Sequence, residues 1–162
     1  VSIASAAIPD GLTSFQFGNT PELADRLAAL VVAGRKTASC SAAVHGPTAV
    51  VGRREIVLNS AKRPVAVVET QAYERLKFAD VTPAMAALEG EGDLSHAFWA
   101  DGHRAYFTRE GSWSSDMDIF FEVFRLVEIL DETFARNAPA CVAKEISEAA
   151  ARGFTALQGN AP

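Results

Sequence analysis

The feature that most constrains this chain is a change of period at Gly34. Before it, Leu23, Leu27, Leu30 and Val31 recur at helical spacing. Thr20-Pro21-Glu22 opens that run with a capping hydroxyl, a proline at the first helical position and a carboxylate in the first turn. Gly34 closes it as a residue free to turn left-handed. The pattern predicts a helix over about 21–33. From Lys36 to Ala43 the residues are small and β-tolerant, which predicts a strand, and His45-Gly46-Pro47 breaks it. Helix end and strand start therefore meet within Gly34-Arg35-Lys36-Thr37-Ala38-Ser39.

The rest of the chain reads in the same way. Glu55 to Leu58 and Val65 to Tyr73 are strands, separated by the polar turn Asn59 to Pro64. In the second of these, Val65, Val67, Glu69 and Gln71 share one face, and Ala66, Val68, Thr70 and Ala72 the other. Thr82-Pro83 starts a short helix running to about Leu88. Glu89-Gly90-Glu91-Gly92-Asp93 is too rich in glycine to continue it. A third helix follows over about 95–109, with Trp99, His103, Tyr106 and Phe107 as one aromatic stripe. Phe120 to Leu130 is a long strand, and Ala140 to Leu157 suits an amphipathic helix. Helices at the edges of a mostly antiparallel strand set make the fold class α+β. Residues 1–14 read as an N-terminal tail, 15–130 as the domain and 131–162 as a C-terminal helical extension.

Composition narrows the function. The formal charge is −5, which argues against a broad basic surface for long nucleic acid. Arg35, Lys36, Arg53, Arg54, Lys62 and Arg63 nonetheless make the first half locally basic. Acidic groups gather later, in Glu89, Glu91, Asp93, Asp116, Asp118 and Glu122, an asymmetry that fits a small polar ligand better than a duplex. Cys40 and Cys141 form no C-x-x-C, and read as free thiols in a reducing cytoplasm. His45, His96 and His103 lack metal-ligand spacing, so no metal and no cofactor is expected. No glycine-rich dinucleotide or phosphate loop is present. No apolar run has the length of a membrane span, and Val1 to Ile8 lacks the basic start of a secretory signal.

Lys36 follows a helix end, where the dipole favours a cation. Thr37, Ser39 and Ser41 alternate, so on an ideal strand they face away from Lys36, and Lys36 meets Ser39 only if the backbone bends between them. The acidic block can lay a carboxylate against a basic group across a cleft.

Two of these segments carry a resemblance. Gly34-Arg35-Lys36-Thr37-Ala38-Ser39 is similar to the G-x-K-x-x-[ST] signature of the ASCH domain family. Glu89 to Ser95, followed by Phe98-Trp99, His103 and Phe107, resembles its second block. The resemblance runs from about Phe15 to Leu130 and implies a PUA-like mixed or antiparallel β-barrel with flanking helices. It also implies an RNA-related function, since some bacterial members are amidohydrolases on N4-acetylcytidine and at least one is a ribonuclease. By position, Lys36, Ser39 and Glu89 become the catalytic candidates, with Ser39 where those amidohydrolases carry threonine. Arg35, Thr37, Tyr73, Glu91, Asp93, Trp99 and His103 become substrate-binding candidates.

The reaction so implied is metal-free hydrolysis of a nucleoside amide, with Ser39 as nucleophile. A serine needs a base. Either a neutral Lys36 serves, with Glu89 handling the leaving amine, or a charged Lys36 stabilises the oxyanion and Glu89 takes the proton. The partner is then a nucleoside or modified base. The alternatives are a non-catalytic RNA-binding module, with Arg35, Arg53 and Arg54 on phosphates, and a ribonuclease built on Lys36.

Overall fold

The computed structural model describes residues 11–156. Val1 to Ile8 and Leu157, about which the sequence raised expectations, lie outside them.

Five strands form one mixed sheet: β1 (Thr13–Gln16), β2 (Ala38–Ala42), β3 (Arg54–Leu58), β4 (Pro64–Lys77) and β5 (Asp118–Ile129). Their spatial order is β1-β3-β4-β5-β2. Only β1 and β3 run parallel; every other pair is antiparallel. The sheet curls into a half-barrel flanked by four helices, an α+β arrangement. These are α1 (Pro21–Val32), α2 (Pro83–Leu88), α3 (His96–Glu110) and α4 (Glu132–Ala151).

The helix starts follow from their capping chemistry. Thr20, Thr82, Ser95 and Asp131 each accept a backbone N–H of the first turn that has no partner inside the helix. At the end of α1, Gly34 takes φ 75°, its N–H bonds Val31, and the next N–H, of Arg35, reaches back to Leu30. That pair of bonds is a Schellman stop.

Three elements differ from the sequence reading. β1 begins at Thr13, inside the segment read as a tail; four residues without alternation give no local signal, and only pairing with β3 makes them a strand. α4 starts at Glu132 rather than near Ala140, because Asp131 caps it and Pro139 is tolerated inside it. β4 extends to Lys77, and register shifts at Val67/Val68 and at Thr70/Ala72 break its two-residue alternation. The second shift brings Thr70 and Tyr73, which face opposite sides of an ideal strand, into register with Phe124 and Glu122 of β5.

One core lies between α1, the sheet and α4, around Leu27, Leu30, Val31, Val57, Val65 and Phe124. Each large apolar side chain so buried contributes about 1.5–3 kcal/mol. A second core joins α2 and α3 to the other end of the sheet through Phe78, Trp99, Phe107 and Ile119. The junction after α1 runs between the two. No helix among the described residues is long and apolar enough to cross a membrane.

Candidate functional site

The strand β2 begins at Ala38, so Lys36 lies before it, on the connection from α1. Thr37 is tied on both sides: its N–H donates to Leu88 and its carbonyl accepts from Phe124. β2 is also an edge strand. Residues of opposite parity can therefore border the open side of the sheet, and Lys36 and Ser39 line one cavity of about 300 Å³. That is the small end of the ~300–1,000 Å³ range typical of ligand sites. Glu89, Glu91, His103 and Cys40 line it too.

The acidic loop is fastened against this junction by its own backbone. Arg35 Nε donates to the Gly90 carbonyl at 2.7 Å and its Nη2 to Gly92 at 2.6 Å. Gly90 adopts φ 74°, and a Cβ there would lie 2.4 Å from the Arg35 carbonyl oxygen, so only glycine permits the approach. From the far side, the buried Glu145 of α4 accepts the Gly92 N–H at 2.8 Å and the Arg26 guanidinium at 2.8 Å.

This clamp holds Glu89 on Lys36. Lys36 Nζ is 3.0 Å from Glu89 Oε2 and 3.5 Å from Glu91 Oε1, and only 1 % of either the Lys36 or the Glu89 side chain is exposed. Trp99 Nε1 donates to Glu89 Oε1 at 2.9 Å. His103 Nε2 lies 3.3 Å from Glu89 Oε2, while its Nδ1 bonds the Trp99 carbonyl at 2.8 Å.

The electrostatics follow from that packing. Burial pulls the Lys36 pKa down, but the Glu89 and Glu91 carboxylates outweigh it and hold it above the ordinary lysine value. Burial works against ionised Glu89 as well, yet Lys36, His103 and Trp99 together hold its carboxyl far below the usual carboxylate range. Burial opposes charge on His103; Cys40 and Glu89 override it and raise the ring well above 6.5. Burial, then Glu89, push the Cys40 thiol up to about 12, so it is neutral at pH 7 and Glu89 is the anion that matters to His103. The pocket thus gathers the Lys36 ammonium and the His103 ring about one buried carboxylate.

The donor atoms of Cys40, Glu89 and His103 lie within 4.8 Å of one another, a grouping invisible in their sequence spacing. It does not suit a metal ion, because the Lys36 ammonium already occupies Glu89 Oε2.

The remaining sequence candidates fall in different places. Arg35 and Asp93 are engaged in holding backbone: Asp93 accepts the Ser95 and Ala156 N–H groups. Thr37 Oγ1 donates to the Leu88 carbonyl. Trp99 is 2 % exposed and stacks on Phe78 and His103, with no free face for a base. Tyr73 stacks on Phe120 and borders a second hollow, where its hydroxyl accepts the Thr48 N–H. Cys40, Arg26 and Glu145 were missed. Cys40 alone carried a signal, since it lies four positions after Lys36 on the predicted strand.

Comparison with known proteins adds to this geometry. The family model described as ASCH domain matches residues 13–128. A crystal structure of an ASCH domain from Lactobacillus crispatus JV V101 superposes with a TM-score of 0.66 at 30 % identity, covering 71 % of this chain and 79 % of that one. A protein of Enterococcus faecalis V583 superposes equally well, at 27 % identity over 75 % of this chain and 79 % of its own. No curated protein matches the chain. The sheet order, the flanking helices and these neighbours agree with a PUA-like fold. On the match across residues 13–128, this chain belongs to the ASCH domain family.

Proposed function

We propose that this protein is a metal-independent amidohydrolase that cleaves the amide of an N4-acylated cytidine-type nucleoside. One observation carries the reading. A fully buried Lys36–Glu89 pair and Ser39 line one half-open cavity of about 300 Å³. A buried ion pair is a poor stabiliser for its cost in desolvation, and this one opens onto a ligand-sized space.

Of the two arrangements of charge, the raised Lys36 pKa favours the charged one. Ser39 attacks the acyl carbon, and the Lys36 ammonium stabilises the developing oxyanion. Glu89 orients Lys36 and His103. Its depressed pKa makes it a weak proton acceptor in the free protein. Glu91, 3.5 Å from Lys36 and partly open to the cavity, is placed to meet the polar edge of a base. Collapse of the adduct breaks the C–N bond, the amine leaves protonated, and water releases the acyl group from Ser39.

The RNA-binding and ribonuclease readings have less support. Arg35 is spent on the acidic loop, Arg54 pairs with Glu69, and Arg53 bonds the Thr48 carbonyl. The test is cytidine release from N4-acetylcytidine. Lys36→Met should lower kcat by on the order of 10²–10³, the effect of losing one oxyanion donor. Absence of release by the wild type, with salt-dependent binding of a short structured RNA, would replace the amidohydrolase by the RNA-binding module.

A further inference from the structure

With Lys36 charged and Glu89 held ionised by three donors, the serine still needs a proton acceptor. The geometry points to Glu122 as the general base for Ser39, acting from the hollow that the two residues border. This inference rests on the amidohydrolase reading for its substrate, but not for the pairing of the two residues.

Glu122 of β5 is the register partner of Ser39 on β2, so the two stand side by side on one face. Directly opposed residues of antiparallel strands have Cβ atoms roughly 4.5–5.5 Å apart, within reach of a carboxylate and a hydroxyl. On its other side Glu122 is in register with Tyr73 of β4, so Ser39, Glu122 and Tyr73 form one row across three strands. That row borders a second hollow, of about 160 Å³, which shares Ser39 with the first cavity. Ser39 thus borders both the cavity that Lys36 lines and the hollow that Glu122 lines.

Glu122 is held, yet keeps one oxygen open. Thr70 Oγ1 donates to its Oε1 at 2.6 Å, an approach made by the bulge between Thr70 and Ala72. Among the described residues its Oε2 has no hydrogen bond. The groups around it are Thr70 and Tyr73 of β4, Glu55 of β3, and Arg53 and Lys36. Partial burial, with Glu55, raises its pKa against the opposing pull of Thr70, Arg53 and Lys36, which suits proton transfer better than the depressed Glu89. In the acylation step Oγ–C forms as the Ser39 proton moves to Glu122. The amine takes that proton as C–N breaks. In deacylation Glu122 accepts a proton from water and returns it to Ser39 Oγ as the acyl group leaves as the acid.

The test uses a fluorophosphonate probe, which forms an Oγ–P bond with an activated serine, expels fluoride and leaves the serine proton with the base. The wild type should be labelled at Ser39 at a rate that rises with pH through an ionisation above the ordinary glutamate value. Glu122→Gln should lower labelling by on the order of 10²–10⁴-fold and abolish that rise. Thr70→Val, which removes the hydrogen bond favouring the ionised form, should move the rise to higher pH; a merely structural Glu122 would not produce that shift. Should Glu122→Gln fail to fold, Glu122→Asp and Thr70→Val carry the test. An unlabelled wild-type Ser39, or equal rates and pH profiles in the wild type and Glu122→Gln, overturns the inference. Glu122-dependent labelling without cytidine release upholds it and removes the nucleoside amide instead. Cytidine release that is unchanged in Glu122→Gln removes Glu122 and leaves the amidohydrolase.

Discussion

Glu89→Gln is the substitution that most severely tests the account of the pocket. It keeps the shape of the side chain and an acceptor for Trp99 Nε1, now 2.9 Å away, but removes the charge facing Lys36. The ammonium would be left on a side chain only 1 % exposed, with Glu91 at 3.5 Å as its nearest carboxylate. Breaking one half of a buried pair costs about 3–5 kcal/mol. Because Glu91 remains, the loss should lie near 3 kcal/mol. Lys36→Met should cost a similar amount, since Glu89 keeps His103 at 3.3 Å and Trp99. In the double variant His103, without Glu89, goes neutral and no ammonium is left buried, so it should recover a coupling of about 2–3 kcal/mol relative to additivity. Urea unfolding of the four proteins measures the cycle. For a chain of this size each kcal/mol moves Tm by about 2–4 °C, so each single variant should melt about 6–12 °C lower. Additive single effects, or single losses below about 1 kcal/mol, would show that the pair is not the buried unit described here.

Three further outcomes follow from the same contacts. His103 has a raised folded pKa, so its contribution is complete below about pH 6.5 and is lost as pH rises through the folded value; stability should fall there by up to about 1.4 kcal/mol per pH unit, and His103→Gln should remove that slope in pH-dependent urea titrations. Gly90→Ala combines a φ of 74° with a Cβ 2.4 Å from the Arg35 carbonyl oxygen and should lose at least about 1–3 kcal/mol by thermal unfolding; wild-type stability would mean the loop does not approach so closely. Glu145→Ala strands the Gly92 N–H and removes the 2.8 Å partner of Arg26, at about 1–3 kcal/mol, and should speed hydrogen exchange of the Gly92 amide.

What could be read from the sequence was local chemistry. The Thr20-Pro21 start and the Gly34 stop bound α1 within a residue or so, because caps depend on neighbours along the chain. Thr82-Pro83 placed α2 for the same reason. β1 was not legible, since a short edge strand exists only by pairing with β3. Nor was the face of Tyr73, because bulges in β4 depend on β5. The candidate site divides likewise. A family pattern pointed to Lys36, Ser39 and Glu89, but strand parity placed Lys36 and Ser39 apart. Starting β2 at Ala38, on a sheet edge, is what lets both line one cavity. The contributions of Cys40, Glu122 and Glu145 rest on contacts between residues far apart in the chain, for which spacing holds no signal.

In the proposed reaction Ser39, on the cavity that Lys36 lines, forms a covalent link to the acyl group. Rapid acid quench of the protein with N4-acetylcytidine, followed by peptide mass spectrometry, tests it most directly. The account predicts an acetyl group on the Ser39 peptide during turnover, and neither adduct nor cytidine release in Ser39→Ala. Undiminished cytidine release by Ser39→Ala would contradict it.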